Sequence, residues 1–244
     1  AMPSAERLAS LSRDILIDGA PASAWWARQS EDTAFKFARE VREGVLLGEA
    51  QERIVSRIIG RGDEPGILDT ARRNVRTLVH SSVMTAANRA RLETYRKNMA
   101  SGDTLYWLAT LDGHVCPVCM ALDGSQWDRD GNPVKGNKIA WNGGPPAHFG
   151  CRCTLSLRPG ASKLRELVGD DAIDAVLNAP GRASKGGPTS ATSMQEFLKR
   201  QSPEFIEEML GKGRAELFLE GRITVKDLVS GTGRELSLAE LRAR

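Results

Sequence analysis

All four cysteines of this 244-residue chain lie between Cys116 and Cys153, as Cys116-Pro117-Val118-Cys119 and then His148-Phe149-Gly150-Cys151-Arg152-Cys153. A C-x-x-C turn brings two thiolates to one side of the backbone and aims amide donors at the sulfurs. An ion shared by two such segments then closes all the chain between them, however little apolar content that chain has. A tetrahedral structural zinc site fills four places with Cys or His, and five candidates exist here. Cys116, Cys119, His148 and Cys151 are the favoured set. Cys153 either exchanges with His148 or packs beneath the site. The opening residues Ala1-Met2-Pro3 lack the basic-then-apolar pattern of a secretory leader, so metal is expected over disulfides, in a reducing cytoplasm. The plain alternative is four buried cysteines with no ligand role.

The surroundings favour a closed site over a catalytic one. Catalytic zinc keeps a position open for water and usually has a Glu or His base nearby. Between the two cysteine pairs stand Asp123, Asp128 and Asp130 but no Glu, and Cys116 occupies the place two residues after His114 where zinc deaminases carry theirs. Other motifs fail on spacing. Asp128-Arg129-Asp130-Gly131-Asn132 opens like a calcium loop, yet Pro133 stands where Gly is required and Ile139 where the bidentate Glu belongs. Gly211-Lys212-Gly213 and Gly231-Thr232-Gly233 lack phosphate-loop spacing. His80 reads as structural, and the five tryptophans as packing around a small metal-stapled core.

Periodicity organises the rest. Residues 3–25 begin amphipathically, with Leu8, Leu11, Ile15 and Leu16 at helical spacing, and break around Gly19 and Pro21. Ser30 caps the next expected helix, with Phe37, Val41 and Val45 on its face and Gly44 and Gly48 weakening it. A helix carrying Ile54, Val55, Ile58 and Ile59 ends at Gly60-Arg61-Gly62-Asp63-Glu64-Pro65-Gly66, whose Arg-Gly-Asp is read as a polar turn. A long helix follows, its stripe running through Ile67, Ala71, Val75, Leu78, Val79, Ser82, Ala86 and Leu92. Leu105–Thr110 and Thr154–Leu157 are expected strands, and 111–153 loops and hairpins without helix. Leu164, Leu167, Ile173, Val176 and Leu177 mark a further helical piece, and 180–193 a linker or mobile loop. Met194–Leu210 is expected as one helix stopped by Gly211, with a further turn at Ala215–Leu219 and Ile223–Val225 extended. Ser237 and Glu240 form a capping box on a last helix.

The fold class is therefore α+β, mostly helical with a small zinc-stapled β region: 1–104 helical, 105–158 a zinc-knuckle β module, 159–193 helix and linker, 194–244 a helical module. The net charge of +3 neither demands nor excludes nucleic acid, so distribution matters more. Arg72, Arg73, Arg76, Arg89 and Arg91 line the long helix, either as a solvated face or as a stripe that meets DNA or an acidic partner. No apolar run approaches the ~20 residues that span a bilayer, so no membrane partner is expected.

The residues Trp107–Asp112, Cys116-Pro117-Val118-Cys119, Leu122-Asp123-Gly124, Pro145–His148 and Cys151-Arg152-Cys153 together resemble the signature of the phage Mu F-like minor head, or head-morphogenesis, proteins. Phe149-Gly150 stands where the family often shows Pro-Asn. The long basic helix looks like the family's helical region, and Phe197–Gln201, Leu210-Gly211, Arg214, Leu217-Phe218, Gly221-Arg222 and Leu238–Leu241 are similar to the tail of its longer members. The resemblance implies a non-enzymatic virion component, made in the host cytoplasm, associated with the portal protein and capsid during head assembly, with contact to packaged phage DNA among the roles of such proteins. The reading from another class is a zinc-containing nucleic-acid-binding protein or nuclease.

Overall fold

In the computed structural model of the protein, residues 4, 6, 10, 16–17, 20–134, 136–169, 182–184, 187–189 and 193–244 are described. Leu8, Leu11 and Ile15 lie outside them, as do Ile173, Val176, Leu177 and most of 180–193. Within that last stretch Arg182–Ser184 pairs antiparallel with Gly187–Thr189. The chain forms two compact units: residues 4–87 with 148–150, and residues 88–147 with 151–244.

In the first unit a two-residue pairing of β1 (Leu16–Ile17) with β2 (Ala20–Pro21) precedes α1 (Ala22–Leu46). Leu16 is thus in a strand, not on a helix. The helix starts directly after Pro21 and runs through Ser30, which is not its cap, because the Ala-rich run 22–29 contains no Gly or Pro to delay it. The second helix, α2 (Gln51–Ile59), ends at Gly60 with φ 86°. Arg57 of α2 pairs with Glu40 of α1 at 3.1 Å and with Glu49 of the connecting loop at 2.8 Å. Arg61 pairs with Glu64 across a tight turn, so the Arg-Gly-Asp sits in a polar turn as expected. Gly66 closes that turn because a Cβ would stand 2.2 Å from the Gly60 nitrogen.

The long helix α3 (Ile67–Asn98) has 32 residues and spans roughly 48 Å at 1.5 Å per residue. Its buried stripe is Leu78, Ser81, Thr85, Asn88 and Leu92. The expected Val79 is exposed. The burial of two hydroxyls has a physical reason. Ser81 and Thr85 donate their hydroxyls to the carbonyls of Thr77 (2.8 Å) and Ser81 (2.6 Å), so small polar groups are buried without a lost hydrogen bond.

In the second unit four antiparallel strands stand in the order β5-β4-β3-β6: Pro133–Val134, Gln126–Trp127, Thr104–Leu108 and Thr154–Arg158. Leu105 faces Leu157 and Trp107 faces Leu155 across the central pair. A short helix, α4 (Pro117–Leu122), interrupts the region expected to be helix-free. After β6 come α5 (Ala161–Val168), the strand pair β7–β8 noted above, and then α6 (Met194–Lys199), α7 (Pro203–Leu210), α8 (Lys212–Leu219), a 3-10 turn (Val225–Leu228) and α9 (Leu238–Arg242). The single helix expected over 194–210 is broken because Ser202 caps a new start at Pro203, whose ring cannot continue the preceding turn. The segment expected as extended instead enters the 3-10 turn, with Thr224 capped by Asp227. The Ser237–Glu240 capping box forms as read from the sequence.

One hydrophobic core joins the sheet to the C-terminal helices: Leu105, Trp107, Leu111, Met120, Leu122 and Trp127 pack in one cluster with Met194, Leu198, Ile206, Leu228 and Leu241. Trp107, Trp127 and Trp141 meet edge to face at 6.5 and 5.2 Å. Trp25 and Trp26 lie on α1 in the other unit, so only three of the five tryptophans serve this core. The fold is α+β, as the sequence predicts.

The sheet is tied to its flanking chain by Asp103, which accepts the amides of Ala100 and Gly160, both at 2.8 Å, with Lys163 at 3.5 Å. Burial pushes its carboxyl up, but the two amides and Lys163 outweigh that and hold it below its ordinary 3.8. A depressed carboxyl contributes stability above its unfolded pKa and loses it as pH falls through the folded value. Asp103→Ala is expected to cost about 1–3 kcal/mol at pH 7, with the gap from wild type narrowing below about pH 4. Chemical denaturation at pH 7 and pH 3 measures both.

Candidate metal centre

The centre is assembled from two loops of the second unit. After β3 the chain turns at Asp112, and Cys116 becomes the N-cap of α4, with Pro117 in its first turn. The Cys116 sulfur accepts the Cys119 amide at 3.4 Å, which is the fold-back expected of a C-x-x-C turn. Helical geometry therefore sets both sulfurs, although the sequence reading gave this stretch no helix. From the other side, Cys151 and Cys153 lead into β6.

Cys119, Cys151 and Cys153 are buried, and their sulfurs all lie within 4.8 Å of one another. Cys119 and Cys151 approach to 3.7 Å. A disulfide would require about 2.05 Å, whereas the edge of a tetrahedron of sulfurs about 2.3 Å from a central zinc is roughly 3.8 Å. All four cysteines are free thiols. The donor set and its spacing thus fit a zinc ion.

The electrostatics agree. Hydrogen bonds from Cys119 and Cys153 draw Cys151 well below the ordinary thiol range. Cys119 is driven far up by its hydrogen bonds to Cys116, Cys151 and Cys153 and by burial. Cys153 is drawn down by Cys119, but Cys151 and burial outweigh that and push it well up. The opposed shifts share one cause: like charges this close in a low-dielectric site cannot all form without a cation.

Several side chains hold the sulfurs in place. The indole N–H of Trp107 is buried without a hydrogen-bond partner, and its nearness to Cys153 favours that thiolate. Arg152, between the two cysteines, forks onto Asp112 at 2.5 and 2.7 Å and so clamps the two loops together. Asn88 of α3, buried, donates to the Cys153 carbonyl at 3.2 Å and accepts from the Leu155 amide and the Thr154 hydroxyl. Sequence reading missed Asn88; its only signal is a lone amide side chain among small residues on a helix. Asp123 and Lys226 fix the far end of α4. Asp123 accepts the amides of Ala109 and Met194 at 3.0 and 2.8 Å. Lys226 donates to the carbonyls of Ala121 and Asp123 and to the Ser125 hydroxyl, at 2.8, 2.6 and 2.9 Å.

The remaining expected site residues are placed as follows. His148 groups with the first unit, its Nδ1 2.7 Å from the Phe149 carbonyl, while Gly150 donates to Ser81. Arg72, Arg73 and Arg76 are exposed on neighbouring turns of α3. Arg89 instead donates to the Gly143 carbonyl at 3.1 Å and Arg91 to the Thr154 hydroxyl at 2.9 Å, so both brace the loops around the sulfurs. His114 is exposed, and its amide donates to Asp112.

A buried thiol cluster between a short antiparallel sheet and a capped helix defines an α+β knuckle with a candidate structural metal site. The profile of the family described as Phage Mu protein F like protein matches residues 36–156, from within α1 to within β6 and across all four cysteines. Residues 36–156 thus place this part of the chain with the phage Mu F-like family. No curated protein and no solved structure matches it.

Two substitutions separate the centre from its frame. Cys116→Ser is expected to lose the metal and more than about 3 kcal/mol of stability, with a broadened melt. Full metal retention in that variant removes Cys116 from the ligand set. Asn88→Ala is expected to cost about 2–3 kcal/mol while keeping full metal content, checked by calorimetry and elemental analysis.

Proposed function

We propose that this protein is a minor head protein of a tailed phage or prophage, a non-enzymatic virion component that associates with the portal during assembly in the host cytoplasm. The observation that carries the reading is the family match over 36–156 coinciding with a buried thiol cluster whose spacing fits zinc. In this reading one zinc is held by Cys116, Cys119 and Cys151, with His148 or Cys153 as the fourth ligand. The ion neutralises thiolates and cross-links two loops. Trp107 and Arg152 favour the ionised sulfurs, and Asn88 and Lys226 keep the loops from opening. Among the described residues no helix is long and apolar enough to cross a membrane.

A contact with packaged DNA is the second part of the proposal, and it rests on the exposed trio Arg72, Arg73 and Arg76. Arg89 contributes less because it is half-buried and bonds the Gly143 carbonyl; Arg91 is exposed but bonds Thr154, and within the trio Arg72 and Arg73 contact Asp69 and Thr70 on their own helix. The test is co-expression with the portal protein of the same phage, followed by size-exclusion chromatography and mass spectrometry of purified particles. Co-elution and recovery from particles are expected. A chain that ignores the portal and is missing from particles overturns the reading, and a divalent-dependent nuclease activity lost in His114→Ala or His148→Ala replaces it.

A further inference from the structure

Trp25 takes no part in the tryptophan cluster of the second unit, and it lines a pocket of its own. Within the first unit, to which residues 148–150 belong, its ring meets Phe149 edge to face at 5.0 Å and 83°. The Gly150 amide donates to the Ser81 hydroxyl at 3.0 Å, which ties the Phe149 loop to α3. Trp25 and Phe149 line a pocket of about 220 Å³ whose other walls are Gln29 of α1 and Asn74, Thr77 and Leu78 of α3. That volume is below the roughly 300–1,000 Å³ of sites for drug-sized molecules, so a single ring system fits and little more. Gln29 and Asn74 also line a larger polar cleft of about 1010 Å³, so a longer ligand has room to continue past them.

The walls combine aromatic rings with two carboxamides. Nε2 of Gln29 is spent on the Thr33 hydroxyl at 3.1 Å, which leaves its side-chain oxygen as an acceptor. The Asn74 carboxamide makes no hydrogen bond among the described residues, so one acceptor and two donors are unspent there. These groups suit a nucleobase. Every base has a π-face to lie against an aromatic ring, and an Asn or Gln carboxamide pairs bidentately with the N6 and N7 edge of adenine. Cations stand beside the pocket as well. The Arg28 guanidinium lies 5.8 Å from the centre of the Trp25 ring, and Arg73 precedes Thr77 by one helical turn on the same side of α3. Both arginines are exposed and suit the phosphates that flank a base. A base inside a duplex is stacked on both faces, so only one out of the stack can enter. We propose that the Trp25–Phe149 pocket holds one unpaired base of a single-stranded nucleic acid, adenine by preference. This goes beyond the contact proposed above, which exposed arginines would make with any phosphate backbone, and it is independent of the zinc and of the portal.

Fluorescence anisotropy with end-labelled strands of about fifteen nucleotides, on the full-length, metal-loaded protein at one fixed salt concentration, tests it. Oligodeoxyadenylate is expected to bind about tenfold tighter than an abasic strand of the same length, and tighter than duplex. Trp25→Ala is expected to remove that advantage. Trp25 is half-buried, so its variant is checked for helix content by circular dichroism, and the exposed Asn74 supplies a second one. Asn74→Ala is expected to keep the melting temperature, to cost about fivefold for oligodeoxyadenylate and to leave oligothymidylate unchanged. Arg73→Ala is expected to weaken every strand alike, abasic included, and to flatten the salt dependence. Adenosine monophosphate separates the two sources of a base: it is expected to displace the strand only at millimolar concentration, and displacement at micromolar concentration overturns the strand in favour of a free nucleotide. Equal binding of abasic and adenylate strands with Trp25→Ala silent overturns the pocket and leaves the arginine contact with DNA standing. A protein that binds no strand and no duplex overturns both.

Discussion

Sulfurs packed within 4.8 Å of one another in a buried pocket hold a conflict that the rest of the second unit is built around. Donors nearby favour the thiolates of Cys151 and Cys153 and burial opposes them, while together the sulfurs repel, and the low dielectric that strengthens the donors strengthens the repulsion as well. A divalent cation resolves it. The residues around the sulfurs make sense as the outer part of such a site: the Trp107 indole pointed at Cys153, Arg152 beside Cys151 and Cys153, and the amide-to-sulfur bond at the start of α4. None of these contacts would help a thiol that is merely a small hydrophobe.

The C-terminal helices are tied to this centre through the far end of α4. Asp123 links that end to β3 and to α6 with one carboxylate, and Lys226 covers the last carbonyls of the helix with its ammonium. Burial lowers Lys226 to about 8, with Asp123 opposing, and three oxygens stand ready for its three protons. The short helix is thus fixed at both ends, by sulfur at its start and by a buried lysine at its close. The hydrophobic cluster shared by Leu105, Trp107, Met194 and Leu228 means that 194–244 packs with the knuckle and not as a separate body.

What the sequence made legible follows from what is local. The C-x-x-C turn, the Ser237–Glu240 capping box and the Gly60 stop are set by residues within a few positions, and all three are present in the structure. The α+β class and the family followed from the same local patterns. Less legible were features decided by distant partners. The six-residue α4 lies in a stretch rich in Gly, Pro and Asn and owes its existence to the core that Met120 and Leu122 enter. Asn88 is a generic helix residue until Cys153 and Leu155 arrive from far along the chain. The expected stripe of α3 is buried or half-buried except at Val79; what an apolar count missed is Ser81 and Thr85, which can be buried because their hydroxyls bond the preceding turn. α1 shows the limit of periodicity: of its expected apolar positions Val41 is half-buried, but Phe37 and Val45 are exposed, which nothing local foretells.

The two units carry different kinds of information about assembly. The knuckle is built around one shared core, whereas the helical unit leaves apolar side chains such as Phe35, Val45 and Leu46 exposed. The central claim remains that the sulfurs are a metal centre. Zinc K-edge X-ray absorption on anaerobically purified protein measures it directly. One zinc per chain with three or four sulfurs at about 2.3 Å is the expected result. Metal-free folded protein, or a first shell of oxygen and nitrogen alone, would contradict it.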